Sequence, residues 1–120
     1  MVEKNKENLK TLIECIGLDV DVHEYIKDLE KSRDEILSRK DFKEEVISHK
    51  ALGQETRFLI YNLIIKKEMC ICELSTILDL AQPSISHHVK ILEQAGLIKG
   101  VKNGKFIHYQ INNKKIIDNL

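Results

Sequence analysis

Apolar side chains recur at helical spacing from the start of the chain. Leu9, Leu12, Ile13 and Ile16 share one face, and Gly17 ends that run. Asp21 is placed to cap a second helix whose stripe is Val22, Ile26, Leu29, Ile36 and Leu37, interrupted at Arg33. Phe42, Val46 and Ile47 carry the spacing on into Ala51 and Leu52, where Gly53 breaks it. Each of these helices bears a narrow apolar stripe on a charged body. Such stripes must be covered, most economically by a second copy of the chain.

Apolar density then rises. Residues 55–65 predict a core helix carrying Phe58, Leu59, Tyr61, Leu63, Ile64 and Ile65, with Asn62 among them. A polar turn at 66–68 leads into a short helix over 71–78, with Ile71, Leu74, Ile77 and Leu78 inward. A tight connection at 79–82 follows, and Pro83 suits the first position of the next helix, where its missing N–H costs nothing. In that helix, 83–95, Ile85, Val89 and Leu92 cluster on one face with His88 at its edge, and Gly96 stops it. Two β-prone runs, 98–102 and 105–111, are joined at Asn103-Gly104, a dipeptide suited to a two-residue hairpin turn. Ile107, Tyr109 and Ile111 alternate on one face of the second run, with His108 on the other and exposed. Residues 112–120 predict a short terminal helix with Ile116, Ile117 and Leu120.

Helix, short helix, tight turn, helix and hairpin make a winged helix-turn-helix. The expected fold is mainly α, with one β-hairpin and an N-terminal helical dimerisation extension. The expected division is 1–45 for the extension and 46–120 for the DNA-binding domain.

Charge sharpens this picture. The 120 residues carry 19 basic and 19 acidic side chains. Residues 1–47 hold 9 basic and 13 acidic groups, a formal −4, and residues 48–120 hold 10 and 6, a formal +4. From 81 to 115 the charges are Lys90, Lys99, Lys102, Lys105, Lys114 and Lys115 against Glu93 alone. A basic half on a neutral chain fits a polyanion partner, although a solvated lysine-rich face fits the charge equally well.

Residue types decide between these. The outward face of 83–94 offers Ser84, Ser86, His87, Lys90 and Gln94, with Gln82 at its entrance. Short donor–acceptor side chains on a helix are what reading base edges in the major groove requires. A merely solvated helix would carry Glu–Lys pairs, and Ser and His are mediocre helix formers. Lys102, Asn103 and Lys105 at the hairpin tip are placed to reach phosphates or the minor groove. A winged helix serving protein contacts would instead present an apolar face on 83–94.

Four motifs then stand in order. They are Ala51-Leu52-Gly53-Gln54-Glu55-Thr56-Arg57, Cys70-Ile71-Cys72-Glu73-Leu74, the run from Gln82 to Ile98, and Lys105 to Tyr109. Over about residues 46–112 the chain resembles the ArsR family of winged-helix repressors. The resemblance implies a homodimer on a palindromic double-stranded DNA operator, usually repressing and often released by a metal or metalloid ion. It also implies DNA contacts from Gln82, Ser84, Ser86 and His87. Residues 1–45 lie outside it, and the tail after Ile111 is shorter than the closing dimer helix often seen.

Cys15, Cys70 and Cys72 are an odd number at spacings unlike a disulfide framework. Cys70-x-Cys72 resembles the Cys-x-Cys-(Asp/Glu)-Leu element of the arsenic-, cadmium- and lead-sensing branch. Two thiolates suit As(III), Cd(II), Pb(II) or Zn(II) as an effector, and no cofactor is otherwise required. An i, i+2 pair points to opposite sides of a regular helix, so joint ligation needs irregular backbone there. The sequence departs from the branch at Ser75, where arsenic sensors can place a third cysteine. The family's zinc site on the C-terminal helix is absent from the last ten residues. Some cadmium- and lead-sensing relatives complete the site with N-terminal cysteines, which makes Cys15 the natural third ligand. Inert packing of small buried thiols and a reversible disulfide switch remain open alternatives.

His23 and His49 lack paired ligands at metal spacing. No Gly-rich phosphate loop, His-Glu-x-x-His or Gly-x-Ser-x-Gly occurs, so an enzyme is not expected. The charged first ten residues argue against a secretory signal, and the apolar runs at 58–61 and 63–65 fall far short of the roughly 20 residues of a membrane helix. A cytoplasmic protein without a membrane partner is expected.

Overall fold

The computed structural model describes residues 2–112, and the expected terminal helix with Ile116, Ile117 and Leu120 lies outside the described residues. The chain divides into two compact units, residues 1–42 and 43–120.

In the first unit, α1 spans Val2–Cys15 and α2 spans Val22–Leu37. Gly17 ends the first helical run as expected: its N–H donates to the Glu14 carbonyl at 3.3 Å, and that of Leu18 to Ile13 at 3.3 Å. Asp21 caps α2, its carboxylate accepting from the His23 N–H at 2.9 Å. No residue of α2 is buried, and Leu12, Ile16, Leu18, Val20, Leu29, Ile36 and Leu37 are all exposed. Of the expected stripes, Ile13 is buried and Leu9, Val22 and Ile26 are half-buried, and the remainder lies exposed.

The second unit holds α4, Glu55–Lys66; α5, Ile71–Leu78; α6, Gln82–Gln94; and the antiparallel strands β1, Ile98–Asn103, and β2, Phe106–Ile111. Helix α3, Phe42–Leu52, begins at the division and buries Ser48, Ala51 and Leu52. The core gathers Ile60, Tyr61 and Ile64 of α4, Leu74 of α5, Ile85, Val89 and Leu92 of α6, then Leu97, Ile98 and Tyr109. The α6 face read from the sequence is the buried one, at 0–1% exposure for its three apolar residues.

Three expectations are corrected. On α4 the fully buried residue is Ile60, while Phe58, Leu59 and Ile65 are exposed. A helix apolar on all sides does not reveal which side the core takes. On α5, Ile77 is 65% exposed, while Leu74 is buried and Ile71 and Leu78 pack half-buried against the core. In the hairpin, Asn103 pairs with Phe106, so the turn is Gly104-Lys105, one residue later than Asn103-Gly104. Gly104 has φ +64°, the left-handed value that a II′-type turn places at its first central residue.

Chain junctions hold the elements in place. Gln54 caps α4, its Oε1 accepting from the Arg57 N–H at 2.8 Å, and Arg57 Nε donates to the Ala51 carbonyl at 2.7 Å. The Ala51–Arg57 motif is therefore a bracket between α3 and α4. After α6, Gly96 at φ +76° sends its N–H to Glu93 at 2.9 Å, and Leu97 sends its own to Leu92 at 3.1 Å. That closure turns the chain from α6 straight into the hairpin. Met69 forms a bridge with Tyr109 through two backbone bonds of 2.8 and 3.2 Å, which ties the base of β2 to the residue before Cys70.

Candidate nucleic-acid interface

Helix α6 begins at Gln82 behind Ala81, so Pro83 sits second rather than first, still within the turn whose N–H groups have no helical partner. Ile85, Val89 and Leu92 are buried, and His88 and Ile91 are half-buried beside them. Gln82, Ser84, Ser86, His87, Lys90 and Gln94 are all exposed. The structure brings the six onto one continuous polar surface, with both hydroxyls, the imidazole and the ammonium unobstructed.

That surface is held by the turn before it. Asp79 ends α5 in the left-handed conformation at φ 53°, its N–H donating to the Ser75 carbonyl. The Leu80 N–H reaches the same carbonyl at 3.2 Å, and the Ser75 hydroxyl donates back to the Leu80 carbonyl. Ser75 thus fastens both sides of the turn that sets α6 against α5. This is a structural use for the residue that departs from the arsenic-sensing pattern.

On the wing, Lys102 pairs with Ile107, Asn103 with Phe106, and Lys105 occupies the turn; all three polar residues are exposed. The last buried residue of the hairpin is Tyr109, opposite exposed Gly100, so the tip stands three residues, about 10 Å, beyond the core. Two ammonium groups on such a projection are positioned for phosphates flanking a groove. His108 is half-buried rather than exposed.

His88, on the edge of the buried face, has its Nδ1 buried with no hydrogen-bond partner. Burial first, then the positive charges of Arg57 and His87, push its pKa below the ordinary 6.5. The neutral form of this packing residue is thereby favoured behind the exposed face of α6.

The thiols occupy different environments. Cys70 is the N-cap of α5, extended at φ −90°, ψ 167°, and buried. Its N–H donates to Glu73 Oε1 at 3.1 Å, the bond in a capping box that most lowers the Glu73 carboxyl, followed by the bond from the Cys70 side chain. The irregular backbone that joint ligation requires is thus present at Cys70. Cys72 lies inside the helix and is exposed, as is Cys15 in the first unit. Among the described residues no group of three or more His, Cys, Asp or Glu side chains is gathered to hold a metal ion. Sequence reasoning missed the Glu73 bond, because a cysteine stands where the capping-box pattern has Ser or Thr. It also missed a bond from Gln82 Nε2 to Cys72 Sγ at 3.4 Å, for which no sequence signal exists.

Residues 54–99 match the family model described as "Bacterial regulatory protein, arsR family". The transcriptional repressor SdpR of Bacillus subtilis is 34% identical over 71 residues, 59% of this chain and 79% of its own length. The chain belongs to the ArsR family. Another relative, the arsenical resistance operon repressor of Escherichia coli, is 42% identical over 64 residues, 52% of this chain. The chain spans 55% of the length of that protein, little more than half. Among solved structures, reduced HlyU from Vibrio cholerae matches at TM-score 0.57 and 29% identity, over 61% of this chain and 77% of HlyU. This ArsR-family chain therefore carries the winged helix-turn-helix of DNA-binding transcriptional regulators. No described helix is long and apolar enough to cross a membrane.

Proposed function

We propose that this ArsR-family protein is a cytoplasmic homodimeric repressor that reads a palindromic operator and is released when its thiols take a thiophilic ion. One observation carries the DNA half of this reading. The single face of α6 free of the core is occupied by Gln82, Ser84, Ser86, His87 and Lys90. These are groups that hydrogen-bond base edges and phosphates, on a helix fixed at both ends by the Ser75 turn and the Gly96 closure. Lys102, Asn103 and Lys105 extend the same function onto the wing.

Residues 1–45 act in dimerisation. The support is the exposed part of the apolar stripes, Leu12 of α1 at 54% and Leu29, Ile36 and Leu37 of α2 between 47 and 56%. Aliphatic surface of that kind on otherwise charged helices favours helix–helix association. The ion is one of As(III), Cd(II), Pb(II) or Zn(II), bound by Cys72 and Cys70 with Cys15 as third ligand. The support is the soft donor set and the extended backbone at Cys70. A second reading, a regulator without an ion effector, draws on the burial of Cys70 and its use as a helix cap.

The experiment starts by sequencing DNA fragments selected by the purified dimer, then measures binding of the recovered operator and of random duplex. His87→Ala and Ser86→Ala should each narrow the ratio between the two by about 5- to 150-fold, the worth of a base contact. An unaltered ratio in both would remove α6 from the reading role. Titrating arsenite, Cd(II), Pb(II) and Zn(II) into the reduced complex then separates the effector readings. Release abolished by Cys70→Ser and Cys72→Ser supports ion sensing, and no release by any ion leaves the effector-free regulator.

A further inference from the structure

The α5–α6 turn is fastened by the Ser75 carbonyl and hydroxyl, and a bond between two side chains also crosses it. Gln82 Nε2 donates to Cys72 Sγ at 3.4 Å, joining the first turn of α5 to the first residue of α6. Both residues are exposed, so neither is held by packing. We propose that Cys72 is a positioning residue for Gln82, orienting its amide to read a base, in addition to any part the thiol plays toward an ion. This inference rests on α6 being the DNA-reading helix.

The chemistry of the amide makes the arrangement specific. A glutamine side chain has two N–H donors and one carbonyl acceptor. The sulfur takes one donor and leaves one donor with the acceptor. That remaining pair is what the major-groove edge of adenine requires, since its N7 accepts and its N6 amino group donates. A free exposed glutamine samples many rotamers and must be ordered on binding, whereas one tethered through its nitrogen meets the base with its N and O sides already assigned. The sulfur suits this task because it is a weak acceptor: it orients the amide without competing strongly with the base. The Cys72 side chain therefore contributes to sequence discrimination at one base pair per half-site, and it does so without touching DNA.

Three measurements on the full-length protein test this. The first follows the Gln82 side-chain amide resonances in the free protein. They should move in Cys72→Ala and stay near their wild-type positions in Cys72→Ser, whose hydroxyl can still accept. Resonances unmoved in Cys72→Ala would overturn the inference without touching the DNA-reading assignment. The second measures binding to the operator and to versions with each base pair replaced in turn. Cys72→Ala should lose much of the about 5- to 150-fold preference at a single position per half-site, with other positions unaffected and Cys72→Ser partly restored. A uniform loss of affinity over all sequences would overturn the positioning role. The third combines Cys72→Ala with Gln82→Ala: the double variant should discriminate no less than Gln82→Ala alone, and additive losses would show that the two residues act separately. A wild-type protein with no sequence preference would sink the DNA-reading assignment first, and this inference with it.

Discussion

The wing is the part of the interface whose contribution is most directly calculable. Lys102 and Lys105 are exposed on a tip about 10 Å beyond the last buried layer. Alanine at both sites removes two charges and leaves the core and the turn glycine in place. Each phosphate neutralised by a lysine contributes about 0.9 to the slope of log affinity against log salt, so the pair accounts for about 1.8 per wing and about 3.6 in a dimer using both. Over a fourfold rise in salt, from about 50 to about 200 mM, the wild-type complex should therefore weaken by about 12-fold more per wing than the double variant, and about 150-fold more for two. Specific and random duplexes should be affected alike, because phosphates carry no sequence.

The assay is fluorescence anisotropy of a labelled operator across a salt series, with thermal melts to confirm that the variant is folded. Lys102→Ala and Lys105→Ala singly should each remove about half of the change. Parallel slopes for wild type and double variant would mean that the wing does not meet the phosphate backbone, and the interface would shrink to α6.

Other outcomes follow from packing and charge. A Cβ at Gly100 would lie 2.8 Å from Ile107 Cγ2 and 3.2 Å from Tyr109 Cε1, so Gly100→Ala should destabilise the second unit by about 1–3 kcal/mol, read as a lowered melting temperature; no change would show that the hairpin yields freely. The neutral form of His88 is favoured in the folded state, so its contribution is complete above pH 6.5 and is lost as pH falls from there through the lower folded value. Denaturant unfolding at about pH 7.5 and about pH 5.5 should show a stability loss that His88→Gln reduces, and an identical loss in both proteins would assign the effect to other histidines. Glu73, whose lowered carboxyl titrates below 4.5, does not interfere in that window. Deleting residues 1–40 should yield monomers with weakened operator binding, and sedimentation as an unchanged dimer would take the dimer contact away from α1 and α2.

The winged helix-turn-helix was legible because its signals are local. Ile85, Val89 and Leu92 fix which side of α6 is buried, and so which side is left to solvent, by spacing alone. Gly96 and Gly104 mark the two chain reversals that make the wing. Errors arose where several registers or faces satisfied the same pattern. Asn103-Gly104 and Gly104-Lys105 both place a glycine in a two-residue turn, and cross-strand pairing of Asn103 with Phe106 selected the second. On α4, Phe58, Leu59 and Ile65 are as apolar as Ile60 and Ile64, and only the packing partners separate them. The links at Met69–Tyr109, Arg57–Ala51 and Gln82–Cys72 were invisible because each joins residues with no shared periodicity.

The cysteines show why their role resisted a reading from spacing. Cys70 does structural work as the buried cap of α5, and its N–H holds the Glu73 carboxylate at 3.1 Å. Cys72, two residues on, is exposed and bonded to Gln82. An ion recruiting both thiolates would have to draw Cys70 out of its cap and take the sulfur lone pair that the Gln82 amide uses. The cost of ligation would fall on the first turn of α5 and on the first residue of α6, the two places that aim the reading helix. By reciprocity, a protein held on its operator would resist the ion by the same factor that the ion weakens the operator complex. If the thiols do take an ion, the cap that must be broken is what would couple it to the DNA.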